Sequence, residues 1–315
     1  MGGDIVRLGF ACKVLGADIP SHDTRRWQSK PHLSVSIGYL HRMFDYLRQN
    51  HIDMYRISSD VAPYFTDPQR PEFGTQLMDC ASELEELGQK ALQLDLRLST
   101  HPGQYVVLNS VDERVYQAAV RDLEYHAELL DRMAQPASAK MVVHVGGVYG
   151  DSSSSMDRWM RRYEILPANV RARLVIENDD KSYSIDNVLH ISAKTGVPVV
   201  FDALHHAVLN PTGVSESEAL AASLRTWPAG QTPKVHYSDE RSEPRTVRRG
   251  GRITQAPPLR GQHAEYVSAP PFAEFLRRNR SSQDFDVMIE AKAKDLALLQ
   301  LRDDLRHMGV HLSAA

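Results

Sequence analysis

Six apolar runs in this chain each close on a residue able to bind a metal ion or move a proton. LRLSTH ends at His101, MVVHVGG carries His144, and LVIEND carries Glu177. VVFDALHH follows with Asp202, His205 and His206, then KVHYSD with Lys234 and His236, then DVMIEAK with Glu290. One histidine at a strand end says little by itself. Six successive strand-like runs, each with its polar residue at or near the C-terminal edge, describe one polar site assembled from many strands. A parallel β/α barrel builds such a site, because its active residues collect at the C-terminal mouth.

Two further runs, VRLGF (6–10) and MYRISS (54–59), bring the strand-like segments to eight. Between them, helical periodicity runs over Val35 to Asn50, Gln76 to Leu92, Arg114 to Met133 and Asp186 to Lys194, the last with Ser184 or Asp186 as cap and Gly196 as stop. Strand and helix therefore alternate along the chain, and the strands are continuously apolar, as parallel strands covered on both faces are. The expectation is an α/β chain folded as one (β/α)8 TIM barrel over 1–315, with 304–315 as a C-terminal tail. The stretch 240–263 differs: it is polar, contains Pro and Gly, and is too long for an idle connection, so it is expected to be a functional loop at the catalytic face.

Charge refines that expectation. The formal net charge is −3, from 37 basic and 40 acidic residues, which argues weakly against nucleic acid. The basic residues cluster, however. Arg241, Arg245, Arg248, Arg249, Arg252 and Arg260 lie in 241–260 against Glu243 alone. A basic loop beside a cationic site holds phosphate whatever the global sum. No apolar run approaches the roughly 20 residues of a membrane span, and MGGDIVRLGF does not read as a signal peptide. With only Cys12 and Cys80, neither a disulfide framework nor a thiolate zinc site is indicated, and a reduced cytoplasmic compartment is expected.

Imidazole and carboxylate together suit zinc, manganese or iron. Asp202 and His205 are spaced D-x-x-H at a strand end; His206 competes with His205, and spacing does not separate the two. Lys234 and His236, two apart on a strand, share a face. A lysine among cations is out of place unless it is neutral or carbamylated, and carbamylation would make it an anionic bridging ligand. The other histidines lie in loops or helices and read as solvated or structural.

With those residues in view, the chain resembles the UV damage endonuclease family. The resemblance runs from RLG at 7–9 through YRISS at 55–59, HPGQY at 101–105, HVGG at 144–147, IEND at 176–179, DALHHAVLNP at 202–211 and PKVH at 233–236 to IEAK at 289–292. It implies a TIM barrel of the endonuclease IV and xylose isomerase type, holding a cluster of three divalent metals, commonly manganese. The implied ligands are His101, His144, Glu177, Asp202, His205, His236, His263 and Glu290, with Lys234 as the carboxylated lysine. Of these, Glu177, Lys234, His236 and Glu290 are the expected catalytic set.

Gln104 and Tyr105 match the pair that such enzymes insert into the duplex at a lesion, a gap that a polar and an aromatic side chain can fill. Phe10, Arg245, Arg248 and Arg249 are expected to contact DNA. Family members often have Tyr and Asn where this chain has Phe10 and Val14, which touches lesion preference and leaves the metal chemistry alone. The implied activity is metal-dependent hydrolysis immediately 5′ of UV photoproducts in double-stranded DNA, leaving a 3′-hydroxyl and a 5′-phosphate. The expected enzyme is a monomer working at the nucleoid. The rival readings are an abasic-site endonuclease on the same barrel, a sugar isomerase or epimerase, and a non-catalytic damage-binding protein.

Overall fold

The structure, a computed structural model, describes residues 7–103, 105–249, 252–279, 283–310 and 312. Its strands are β1 (Leu8–Ala11), β2 (Met54–Ile57), β3 (Arg97–Thr100), β4 (Lys140–His144), β5 (Leu174–Glu177), β6 (Val199–Val200), β7 (Lys234–Tyr237), β8 (Arg245–Arg249), β9 (Arg252–Ala256) and β10 (Asp286–Ile289). Eight of them form one sheet in the order β6-β5-β4-β3-β2-β1-β10-β7, and every described ladder in it is parallel. The eight segments expected as strands are these eight.

The ends of that sheet meet above β6. Below the meeting point, Val199 is satisfied by side chains instead of by β7: Thr226 Oγ1 accepts from its N–H at 2.8 Å, and Trp227 Nε1 donates to its carbonyl at 2.8 Å. Higher up, His236 N–H donates to Phe201 O at 2.8 Å, and a parallel bridge joins Asp202 to His236. The barrel thus closes at the level of the two candidate ligands. Closure is what fixes them against each other.

Helices cover the outside and bury one face each. The helix Leu33–Gln49 buries Leu33, Ile37, Leu40, Met43, Phe44 and Leu47, a 3.6-residue stripe, and each buried side chain of that size contributes about 1.5–3 kcal/mol. The helix Ile185–Thr195 starts with a Ser184–Asn187 capping box and stops at Gly196 in the left-handed region (φ 73°). The expected Gln76–Leu92 helix is broken: it runs Gln76–Asp79, then Ala81–Gln93, with Cys80 (ψ 24°) between them. The final helix continues past Asp304 to His307, into the segment expected as tail.

The stretch 240–263 is not an irregular loop. Within it β8 and β9 pair as an antiparallel ribbon, Arg245 opposite Ala256 and Arg248 opposite Ile253. Its roots are tied to the barrel mouth: Glu240 bridges His263, Arg241 N–H donates to Gln262 O, and Ala264 N–H donates to Asp239 O.

Candidate metal centre

Parallel strands deliver the site residues to one level. Glu177 pairs with His144 in the β4–β5 register and closes β5, while His144 closes β4. His101 and Glu290 each follow their strand by one residue. Asp202 caps the helix Ala203–Val208, its Oδ1 accepting from His205 N–H at 2.7 Å, so one carboxylate both starts that helix and faces the site. His144 is followed by Gly146 at φ 114°, where a Cβ would come within 2.5 Å of Asn109 Oδ1. Only glycine lets that loop fold so tightly behind the ligand.

Glu177 is the centre. Its carboxylate lies 3.4 Å from His101 Nε2, 3.4 Å from His205 Nδ1 and 3.0 Å from His236 Nδ1. His236 Nδ1 is also 3.2 Å from Glu290 Oε1 and 4.0 Å from Asp202 Oδ2. His263 Nε2 is 3.9 Å from Glu290 Oε2. The His144 ring sits 5.4 Å from His101 and 5.8 Å from His205, centroid to centroid. All eight implied ligands therefore gather in one cluster. Two trios have ligand atoms within 4.8 Å of one another, His101–His144–Glu177 and Glu177–Asp202–His236, with Glu177 in both.

Histidine tautomers follow from outer partners. A carbonyl only accepts, so His101 Nδ1–H donates to Pro102 O at 3.0 Å and His205 Nδ1–H to Asn178 O at 2.9 Å. His263 Nδ1 is held by Ser238 Oγ at 2.6 Å. These contacts fix the ring orientations, as outer partners do for imidazole ligands, and turn Nε2 of His101 toward Glu177 and Nε2 of His263 toward Glu290. His206 points elsewhere, its Nε2 3.1 Å from Val214 O. Of the two neighbours left open in the sequence, His205 stands in the cluster and His206 does not.

The electrostatics are those of a site short of cations. Burial pushes the Glu177 carboxyl up, but the surrounding imidazoles, His236 and His144 before His101 and His205, outweigh it and hold the carboxyl well below its usual range. Burial, with Glu177 and Glu290 adding, pushes Asp202 well above it. Against burial, Asp202 and Glu177 push the His205 imidazole up to about 11. Several buried polar atoms have no hydrogen-bond partner among the described residues: Glu177 Oε2, Asp202 Oδ2, His144 Nδ1, both His236 nitrogens and Lys234 Nζ. Uncompensated buried polar atoms are costly, and a cluster of N and O donors with this defect fits divalent cations.

Lys234 is fully buried one layer below His236 on β7. Burial, then Arg56 and Arg97, push its ammonium well down, so a neutral amine is favoured. Three contributors escaped sequence reasoning. Arg56, buried on β2, pairs with Glu290. Asn178 ties β5 to β6, its Nδ2 donating to Asp202 O at 3.0 Å and its Oδ1 accepting from Asp202 N–H at 2.9 Å. Ser238 orients His263. An arginine inside the otherwise apolar MYRI strand was the one visible signal.

The residues expected at DNA divide. Tyr105 is 80% exposed at the mouth, and Gln104 lies outside the described residues. Arg248 is exposed on β8, Arg249 follows it, and Arg245 is half-buried with its Nε donating to Pro257 O at 3.1 Å, bracing the ribbon's root. Phe10 is corrected: at 0% exposure it packs edge-on against Tyr55 inside the core, so it offers a duplex no surface.

Comparison with known proteins agrees with this geometry. A UV DNA damage endonuclease of Bacillus velezensis is 35% identical over 268 residues, 84% of this chain and 78% of that protein. One of Clostridium perfringens is 27% identical over 318 residues, 98% of this chain and 73% of that protein. The crystal structure of SacUVDE superposes with a TM-score of 0.81 at 30% identity, covering 97% of this chain and 100% of the other. Endonuclease IV from Thermus thermophilus, at 16% identity and a TM-score of 0.57, covers 96% of this chain and 99% of its own and shares the fold. The profile of the UV-endonuclease UvdE family matches residues 23–312, and this chain belongs to that family.

Proposed function

We propose that this chain is a divalent-metal-dependent DNA repair endonuclease that nicks double-stranded DNA immediately 5′ of UV photoproducts, leaving a 3′-hydroxyl and a 5′-phosphate. Cyclobutane pyrimidine dimers, 6-4 photoproducts and abasic sites are the substrates. The observation that carries this reading is the Glu177-centred cluster of orphaned buried donors. His101, His144, Glu177, Asp202, His205, His236, His263 and Glu290 would hold the ions, three of them and manganese first. Those ions supply Lewis-acid polarisation of the phosphate and acidify water.

The chain does the rest. Pro102, Asn178 and Ser238 hold the rings of His101, His205 and His263 in place. Burial, then Arg56, sets the Glu290 carboxyl, and Arg56 keeps it ionised against that burial. A neutral Lys234 amine can take up carbon dioxide and become a carboxylated, anionic ligand. Tyr105 with Gln104 fills the gap left by extruded nucleotides, and the arginines of the 240–263 insertion engage backbone phosphates. Among the described residues no helix is long and apolar enough to cross a membrane. The enzyme is proposed to work as a monomer on nucleoid DNA in the cytoplasm.

The test uses Mn²⁺ and end-labelled duplexes carrying a cyclobutane dimer, an abasic site or no lesion. The expected result is a nick 5′ of the dimer that EDTA abolishes. Cutting of the abasic duplex alone selects an abasic-site endonuclease, and binding without cutting selects a damage-binding protein. Sugar isomerisation with no duplex bound or cut overturns the nucleic-acid reading altogether.

A further inference from the structure

The β8–β9 ribbon has two unlike faces. Residues directly opposite in an antiparallel pair share a face. Arg245, Val247 and Ala256 on one face are half-buried, although Thr254 and Arg252 on that face are exposed, whereas Thr246, Gln255, Arg248 and Ile253 on the other face are all exposed. On that outer face Gln255 Nε2 donates to Thr246 Oγ1 at 3.2 Å, and next to this pair Arg248 stands opposite Ile253. Ile253 is 61% exposed. The segment 245–256 contains four arginines and no acidic residue. An exposed β-branched apolar side chain beside arginines offers a partner both an apolar and a cationic contact.

We propose that the outer face of this ribbon lies in the major groove of the duplex beside the cut site, with Ile253 and Arg248 against base edges. The proposal rests on the reading of the chain as a DNA-cutting enzyme. Three observations support it. A two-stranded ribbon is one of the shapes the major groove admits. The ribbon's roots are fixed at the metal centre, through the Glu240–His263 bridge and the approach of His263 to Glu290, so a duplex at the cluster passes the ribbon. Its charge is complementary to phosphate along its whole length.

The two side chains leave different signatures. Apolar contact releases no counterions, while a lost arginine contact lowers the salt dependence of binding. Binding of a dimer-containing duplex to the full chain is read by anisotropy in Ca²⁺, across a salt series, with metal content and solution mass as controls. Ile253→Ala is expected to weaken binding roughly tenfold with an unchanged salt slope. Arg248→Ala is expected to lower the slope by about one. Thr254→Ala, off the outer face, leaves both unchanged. Guanine N7 methylation near the lesion weakens wild-type binding and spares Arg248→Ala.

If the wild type nicks the duplex while Ile253→Ala binds like it, or if N7 methylation has no effect, the ribbon proposal is overturned and the endonuclease reading stands. An Ile253→Ala change in solution mass would assign the patch to self-association and overturn it too. A wild type that binds no duplex removes both readings.

Discussion

Glu177 and Arg248 carry opposite charges in opposite surroundings. Glu177 closes a barrel strand, is buried, and has its ionisation set by four histidines within the cluster. Arg248 stands exposed on a ribbon whose strands, among the described residues, pair only with each other. Packed parallel strands can hold mutually repelling carboxylates at fixed separations, because the backbone ladders leave them no other position. An exposed ribbon cannot hold a geometry to tenths of an ångström, but its charges remain free to meet a substrate. On the proposed function, the floor carries the chemistry and the rim chooses what reaches it. Mutations in the two places should therefore fail in different ways.

The largest effect is expected on the floor. Glu177→Gln keeps the shape and removes the charge shared by both ligand trios. Altering residues that merely orient ligands costs about 10–100-fold, so nicking should fall by more than about a hundredfold, with loss of bound metal by elemental analysis. Duplex affinity, measured in parallel, should change little, since the rim is intact. If binding falls as far as cutting, floor and rim are not separable.

Tyr105→Ala asks the converse. At 80% exposure Tyr105 packs on nothing the barrel needs. Its loss should weaken binding to a dimer-containing duplex by about ten- to a hundredfold, the worth of one aromatic stack on a base. Metal content and undamaged-duplex affinity should be preserved. Loss of metal in this variant would sink the assignment of Tyr105 to the rim.

The same division decides how much could be read from sequence. The cluster was legible because each of its strand residues lies at the end of an apolar run, a pattern that one-dimensional spacing records faithfully: His101, His144, Glu177, Asp202, His236 and Glu290, all named from the sequence, gather there. What spacing could not carry was direction. His205 and His206 are neighbours, and only the turn of the helix Ala203–Val208 sends one to Asn178 O and the other to Val214 O. His263 came from resemblance alone, because a long insertion brings it back to the mouth.

Arg56 sits in the YRISS motif with nothing nearby in the sequence to show its role, since its partner Glu290 lies on a strand far away in the chain. The rim was read less well. Its arginines were visible as composition, but not that Arg245 braces the ribbon's root while Arg248 faces outward. Phe10 was placed by analogy, and the β1–β2 packing against Tyr55 overruled it.

If burial is the rule that separates floor from rim, it should hold at a carboxylate belonging to neither. Asp122, on the helix Glu113–Arg132, is pushed up to about 6 by burial and then by Asp60, which outweigh a hydrogen bond from Thr66. Its nearest basic group does not relieve it: His126 Nε2 lies 3.7 Å away, but burial, then His101, holds that imidazole down at about 3. Asp122 is therefore protonated more readily in the folded chain than in the unfolded one. Its favourable contribution is fully present below about pH 3.8, falls as pH rises through about 6, and is gone above that. Asp122→Asn should consequently stabilise the protein at pH 7.5 by about 1 kcal/mol, a rise of about 2 °C in Tm. The gain should shrink steadily toward pH 4 in paired thermal melts. A variant less stable than wild type at pH 7.5, or a gain independent of pH, would mean that the Asp122 carboxylate has a favourable partner, and that burial alone does not order the charges of this barrel.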